Sequence, residues 1–258
     1  MNTLHPRDTH ELTRILAHLP ADSRFVYGTE KPGTNIDLCD APELKVIRQN
    51  CCSLASLTIG CAANPAQVAA HPLIRHYYPA MAHACTQLLE RDPKAIAVGA
   101  SIFAREPDLW AAMLALDCKA LIMDPDRNIR SIAMHTLFDS EGRPQLNQQE
   151  VVTGFNLPRP RFTHCACSYA VTADGDLRLA IFLHIEDEGI AIARIVLALP
   201  DRPPVFCLHT AQQLIGWEAD EYPAAQLCDT LCRECAGFGI HLPTELILQV
   251  WNSLDCVF

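Results

Sequence analysis

Three cysteines in the last part of the chain have a spacing that could hold an iron–sulfur cluster. Cys228, Cys232 and Cys235 form a C-x3-C-x2-C set within the segment AAQLCDTLCRECAGF. A cluster needs a loop that lets three thiolates wrap around it. The segment instead has a helical pattern, in which positions i, i+4 and i+7 share the face that carries Leu231. Packing in the core is therefore the favoured interpretation of these thiols, and a cluster is the alternative.

Two further polar patterns could bind a metal ion. Asp124-x-Asp126-x-Asn128 begins like a calcium loop, but Ile129 stands where the loop needs glycine, and the distal glutamate is absent. Three histidines that could share a helical surface have no carboxylate-rich partner set: His71, His76 and His83. The sequence also lacks a serine nucleophile elbow, a Walker loop and a G-x-G-x-x-G turn. We therefore assign no metal site and no catalytic residue.

Composition excludes several classes of function. The chain has 258 residues, with 30 acidic against 20 basic ones, and its net charge of -10 repels phosphate backbones, so we expect no nucleic-acid partner. No run approaches the roughly 18 apolar residues needed to span a bilayer, and the first residues lack the layout of a signal peptide. We expect no membrane association and a cytoplasmic location. The 13 cysteines are odd in number and irregularly spaced, which argues against a disulfide framework.

The elements that must position these residues form two small α/β units in the first half of the chain. The earlier of these small α/β units has a helix over residues 10–19, short strand-like runs up to residue 60, and a longer helix over about 76–90. The later one has a strand over 95–98 and a helix over 108–116. Two further strands follow over residues 119–123 and 129–134.

The pattern changes after the polar stretch 139–149. Strand-like runs begin at residue 151 and continue to 199, and helical patterns follow from residue 210. Strands followed by helices predict an α+β unit whose antiparallel sheet is covered on one face. We place a boundary near residue 148, which gives domains of residues 1–148 and 149–258.

Several stretches in a fixed order carry a resemblance to a known family. They are PRD at 6–8, VYGTE at 26–30, NIDL at 35–38 with PELKVI at 42–47, LTIG at 57–60 with HPLIR at 71–75 and YPAM at 78–81, and DLWAAMLALD at 108–117. They are similar to the family segments RP-x-S-x-x-E-A, GGTD or GNTE, LIDL…PELRGI, LRIGA…SPLVR…YPAL, and DLPPALLALD. The chain thus resembles the FAD-binding medium subunit of molybdenum hydroxylases, the group that contains xanthine dehydrogenase and aerobic carbon monoxide dehydrogenase.

The resemblance implies a fold, a cofactor and partners. The fold would be α+β, with a PCMH-type FAD-binding domain of two small α/β units before an α+β C-terminal domain. FAD would take electrons from a [2Fe–2S] iron–sulfur subunit and pass them to an acceptor, while a molybdenum cofactor subunit would oxidise the substrate. The chain alone would not be active. The implied cofactor-binding residues lie in two turns and at a ribose-binding position: Tyr27, Gly28, Thr29, Glu30, Gly99, Ala100, Ser101 and Asp108.

Both turns depart from the family pattern. Tyr27 stands where the first glycine of the first turn would fall, and Val98-Gly99-Ala100-Ser101 replaces IGGN in the second turn. Glycine allows a backbone to approach a diphosphate closely, and an alanine forced to a positive φ costs roughly 1 kcal/mol. The Tyr27 ring could block the diphosphate or turn away from it. For Asp108, a carboxylate at a helix N-terminus is the alternative to a ribose contact.

The C-terminal part also departs from the family. It lacks the family's lysine before F/MDI, since no lysine follows Lys119, and it lacks the closing R-x-Y-R segment. FAD could therefore be retained or lost. The alternative function is a flavin-free homologue that acts as a scaffold or interaction subunit.

Overall fold

The computed structural model describes residues 2–20, 23–28, 34–50, 56–139, 143–158, 165–200, 202–218 and 223–254. The chain forms two compact units, each built from separate stretches of sequence. The first unit contains Met1–Val68, Leu88–Ala104 and Asp117–Arg159. The second unit contains Ala69–Gln87, Arg105–Leu116 and Pro160–Phe258.

A small parallel sheet begins the first unit. Its strands are β1 (Asn2–Leu4), β2 (Ser23–Val26) and β3 (Thr34–Asp37), in the order β1-β3-β2. Helix α1 (Thr9–Ala17) lies between β1 and β2 in sequence. The Asp8 carboxylate caps this helix by accepting a 2.6 Å hydrogen bond from the Glu11 amide. Leu12 and Leu16 are fully buried, so the predicted helix and its apolar face are confirmed.

A five-stranded antiparallel sheet forms the rest of the core of this unit. Its strands are β4 (Ile47–Gln49), β5 (Leu57–Gly60), β6 (Lys119–Met123), β7 (Ile129–Ala133) and β8 (Val151–Leu157), in the order β4-β5-β8-β6-β7. Short 3-10 helices lie at Leu38–Asp40, Pro42–Leu44 and Met134–Thr136.

Strand β8 follows the predicted domain boundary at residue 148 in sequence, which places it in the C-terminal domain. In the structure it pairs with β5 and β6 in the middle of the five-stranded sheet of the first unit. Strand pairing between distant segments depends on the complementary burial of whole faces, which the local pattern does not show. The first compact unit therefore extends past residue 148, to Arg159.

Four helices in the middle of the chain begin with a proline. Proline is the first residue of α2 (Pro65–Ala70), α3 (Pro72–Tyr77), α4 (Pro79–Arg91) and α6 (Pro107–Ala115), a position at which its missing N–H has no cost. The helix predicted over 76–90 is therefore split, because Pro79 starts a new one. The strand predicted over 95–98 is wrong, since Val98 begins helix α5 (Val98–Phe103).

The second unit contains the predicted antiparallel sheet. Its strands are β9 (Cys165–Val171), β10 (Arg178–Glu186), β11 (Gly189–Leu199) and β12 (Arg202–Phe206), in the order β12-β11-β10-β9. Helices α7 (Leu208–Leu214), α8 (Ala224–Gly237) and α9 (Thr244–Leu254) follow, as the sequence predicts.

Both faces of this sheet are covered by helices. Leu179, Ile181 and Leu183 of β10 point to the core shared with α7, α8 and α9. Arg178, which has the opposite side-chain direction, bonds to Asp108 of α6. The prediction of a single covered face is therefore wrong. None of the helices within the described ranges is long and apolar enough to span a bilayer.

Candidate functional site

The first turn follows β2 and holds Gly28 in a left-handed conformation. Its φ is +67°, a value that a residue with a Cβ rarely adopts, and an added Cβ would lie 2.8 Å from Ile96 Cδ1. The Gly28 amide donates to both carboxylate oxygens of Asp37, at 3.0 Å each. Position 28 thus requires glycine for its own conformation, and the contact of Gly28 with the cofactor stays a prediction. Thr29 and Glu30, the other predicted residues of this turn, lie outside the described residues.

Asp37 is a residue that the site prediction missed. It ends β3, is 8% exposed, and accepts a hydrogen bond from the Cys39 amide at 2.9 Å in addition to the bonds from Gly28. The signal was present, because Asp37 belongs to the NIDL stretch that resembles the family. Its carboxylate connects β3 to the first turn and fixes the position of Gly28.

The second turn is the start of helix α5, and its first amides are already bonded. The Val98 amide donates to the Ala63 carbonyl at 2.9 Å, and the Gly99 amide donates to the Cys61 carbonyl at 2.7 Å. Ala100 lies inside α5 and is not among the residues with a positive φ. The expected strain at this alanine is therefore wrong.

Ser101 has a local role in the same helix. Its side chain is 6% exposed, and its hydroxyl donates to the Ala97 carbonyl at 3.4 Å. This is a bond back to the preceding turn of the helix, of the kind that serine side chains form in helix interiors. The contact with a diphosphate that was predicted for Ser101 stays a prediction.

Tyr27 packs directly against the second turn. The side chain is 6% exposed, and a Cβ built on Gly99 would lie 2.5 Å from its hydroxyl oxygen and 2.7 Å from its Cζ. No residue with a Cβ could occupy position 99 beneath this ring. Of the two orientations left open by the sequence, the ring therefore takes the one that fills the space over Gly99.

The contact between the turns is buried and uncharged. Burial raises the pKa of the Tyr27 phenol well above its ordinary value, and the neighbouring Cys61 adds to the rise. Burial likewise raises the pKa of the Cys61 thiol to about 12. Both groups are protonated at neutral pH. The tyrosine ring therefore acts as a packed side chain that joins the two turns.

The two turns differ in how they fit the diphosphate of FAD. An anion cradle needs amide N–H groups that converge on open space. The first turn keeps its left-handed glycine, which allows the backbone to approach a diphosphate closely, but the Gly28 amide is already bonded to the Asp37 carboxylate. In the second turn the Val98 and Gly99 amides are bonded to carbonyls, and the Tyr27 ring covers Gly99. With the ring in this position, the second turn does not fit the diphosphate.

Asp108 belongs to the second unit and is engaged in a buried polar cluster. Its side chain is 1% exposed, and its Oδ1 accepts hydrogen bonds from the Tyr169 hydroxyl and, at 3.1 Å, from Arg178 Nε. Arg178 is also 1% exposed. The carboxylate neutralises a buried guanidinium and joins α6 to β9 and β10. This buried ion pair explains why an aspartate stands at position 108. The contact of Asp108 with the ribose stays a prediction.

The α8 cysteines lie in or beside the core of the second unit. Cys228 and Cys235 are 6% and 0% exposed and belong to the core, and Cys232 packs against it. The Cys232 thiol donates to the Leu242 carbonyl at 3.4 Å. Burial raises the pKa of Cys228 and of Cys232. These contacts support the packing interpretation. In the described part of the chain, no group of three or more His, Cys, Asp or Glu side chains could hold a metal ion.

Comparison with known proteins connects these observations to a family. Residues 2–160, more than half of the chain, match the family model described as the FAD binding domain in molybdopterin dehydrogenase. No curated protein sequence matches the chain.

Solved structures show that the likeness of fold extends over the whole chain. The chain is similar to one in carbon monoxide dehydrogenase from Hydrogenophaga pseudoflava, in a form that lacks the Mo-pyranopterin moiety of its molybdenum cofactor. The TM-score is 0.82 at 16% identity, over 100% of this chain and 98% of that one. Reconstituted CO dehydrogenase from Oligotropha carboxidovorans gives 0.81 at 15%, and quinoline 2-oxidoreductase from Pseudomonas putida 86 gives 0.75 at 17%, with the same coverage.

Proposed function

Because the chain belongs to the family of FAD-binding domains in molybdopterin dehydrogenases, we propose that it is the flavin subunit of a molybdenum-hydroxylase-type oxidoreductase. The family assignment supports FAD as the cofactor. When bound, FAD would accept electrons from a [2Fe–2S] subunit and pass them to NAD+ or another acceptor, while a molybdenum cofactor subunit oxidises the substrate. The observation that carries the proposal is the family match over residues 2–160, which includes both sheets of the first unit.

The residues of this chain would hold the cofactor and would not react themselves. In a cofactor enzyme the protein supplies position and electrostatics, and the redox chemistry belongs to the flavin. Gly28 would let the first turn approach the diphosphate, and Asp37 holds that turn in place. Gly99 could contribute only after the Tyr27 ring has left it.

Co-purification from the native host tests the assignment as a subunit. A tagged chain should be recovered under anaerobic conditions with a [2Fe–2S] protein and a molybdenum protein, and the isolated chain should have little or no oxidoreductase activity. Recovery of the chain alone, from cells in which the partner genes are expressed, would contradict the proposal. A cytoplasmic location stays a prediction, which cell fractionation would test.

A second candidate function is a flavin-free scaffold subunit. The specific observation in its favour is the Tyr27 ring packed over Gly99, together with the bonded amides of the second turn. Such a chain would keep the fold and its partners but not the cofactor. The two candidates differ in one observable, since a complex recovered with its partners either has the visible absorption of a flavin or lacks it.

A further inference from the structure

Two buried cysteines of the second unit lie side by side, and the proposed function gives neither of them a role. Cys207 immediately precedes α7, and Cys235 belongs to α8. Both side chains are 0% exposed and lie in the core of the unit, and both are free thiols. Residues so far apart in the chain come together only through the fold, and the interpretation of this pair does not depend on the proposed function.

A carboxylate of α8 holds the start of α7 beside the second cysteine. Glu234 accepts hydrogen bonds from the His209 amide at 2.9 Å, from the Thr210 amide at 2.8 Å and from the Thr210 hydroxyl at 2.6 Å. Glu234 is the residue before Cys235, and His209 lies two residues after Cys207. These three bonds therefore fix the backbone on both sides of the cysteine pair.

The two thiols are in direct contact with each other. The hydrogen bond with Cys235, together with burial, raises the pKa of the Cys207 thiol well above its ordinary value, so Cys207 is protonated at neutral pH. Cys232, one turn earlier in α8, instead donates to the Leu242 carbonyl at 3.4 Å. Among the α8 cysteines, Cys235 is therefore the partner of Cys207.

Cys207 follows an edge strand that few hydrogen bonds can hold. Strand β12 pairs with β11 alone, and its Pro203 and Pro204 have no amide hydrogen to donate to that neighbour. The residue after Cys207, Leu208, is 64% exposed. Local opening of such an edge needs much less free energy than unfolding of the whole unit. A small solute can therefore reach the two thiols while the rest of the core stays folded.

We propose that Cys207 and Cys235 form a reversible disulfide when hydrogen peroxide reaches them. The sulfur of one cysteine attacks a peroxide oxygen, the O–O bond breaks, and a sulfenic acid and one water form. The sulfur of the other cysteine then attacks the sulfenic sulfur, the S–O bond breaks, and the S–S bond forms. The released hydroxide takes the remaining thiol proton and leaves as a second water. The two thiols together lose two electrons, which the peroxide gains.

The two states of the pair differ in how firmly the edge of the sheet is held. Only a thiolate reacts readily, so burial and the raised pKa of Cys207 keep the pair reduced until the oxidant is abundant. In the oxidised state the new bond joins the end of β12 to α8, and the edge can no longer open. The pair therefore acts as a redox-sensitive lock on this part of the second unit.

Mass spectrometry of the full chain after treatment with hydrogen peroxide tests the pairing. Denaturation in N-ethylmaleimide blocks the remaining thiols, and proteolysis then releases the linked peptides. A link between Cys207 and Cys235 should be the most abundant one, and dithiothreitol should remove it. The midpoint of thermal unfolding should be about 5–10 °C higher for the oxidised chain than for the same chain after dithiothreitol.

Two variants assign the thermal shift to this pair. Cys207→Ala should lose both the link and the shift. Cys85→Ala removes another thiol of the second unit that is 0% exposed, and this matched control should keep both. The mapping uses the unmodified chain, so it decides the pairing even if a variant does not fold. Absence of the link between Cys207 and Cys235, a more abundant link between other cysteines, or an equal shift in Cys207→Ala would each overturn the proposal.

Discussion

Replacing Tyr27 by alanine should raise the affinity for FAD while lowering the stability of the fold. The ring is 6% exposed, and truncation of a buried aromatic side chain lowers the free energy of unfolding by about 3–5 kcal/mol. In the unmodified chain, a diphosphate that reaches Gly99 must first displace the ring, so binding loses up to this free energy. The variant has no ring to displace. At 1.4 kcal/mol for each factor of ten, its affinity for FAD should rise by up to about 10²- to 4 × 10³-fold.

Isothermal titration of FAD into the apo-protein measures the gain, and thermal denaturation measures the loss of stability. Tyr27→Phe is the matched control, because it keeps the ring over Gly99 and should leave the affinity near that of the unmodified chain. Ala100→Gly should also fail to tighten FAD, since position 100 is helical, and it should lower helix stability by about 1 kcal/mol. The reasoning is refuted if Tyr27→Ala binds FAD no more tightly than the unmodified chain, or if Tyr27→Phe gains as much affinity.

Three other predictions concern stability and the cysteines. Asp108→Asn removes the charge opposite the buried Arg178 and should lower the free energy of unfolding by about 3–5 kcal/mol in a thermal melt, whereas the exposed Asp229→Asn should change it by about 0.5 kcal/mol or less. Arg130 lowers the pKa of Glu150 from 4.5 to about 2, so the stability from this ionised carboxylate is present above pH 4.5 and is lost as the pH falls towards 2. Urea unfolding across that interval should show a smaller loss for Glu150→Gln, and an equal loss would contradict the assignment. Anaerobic reconstitution with iron and sulfide should give no cluster, because the α8 cysteines pack in the core, and a stoichiometric cluster would overturn that interpretation.

The family and most local elements could be predicted from the sequence because both depend on residues close together in the chain. Ordered short segments carry the family resemblance, and the apolar spacing of α1, α8 and α9 predicts their buried faces. The sheet that receives β8 could not be predicted. Its partners are β5 and β6, and β5 lies about a hundred residues earlier in the chain, so no local pattern selects this pairing.

The conformation of the two flavin turns could not be predicted from the sequence for a similar reason. The residue type at position 27 allowed the ring to block the site or to turn away, and only the packing of Gly99 and Cys61 around it decides between these. The resemblance implies that Gly99 binds the cofactor, but the Tyr27 ring and the Cys61 carbonyl also require glycine there, since an added Cβ would lie 2.5 Å from the Tyr27 hydroxyl and 2.8 Å from that carbonyl oxygen. Asp108 similarly has buried partners, Tyr169 and Arg178, that lie more than 60 residues away in sequence.

The FAD content of the native complex tests the central claim most directly. The chain would be isolated anaerobically from its own host together with its partner subunits, and the flavin would be released by acid and quantified by chromatography. The proposed electron-transfer function predicts about one FAD for each copy of this chain. A complex that contains the [2Fe–2S] and molybdenum subunits but no flavin would contradict it and would establish the scaffold function instead.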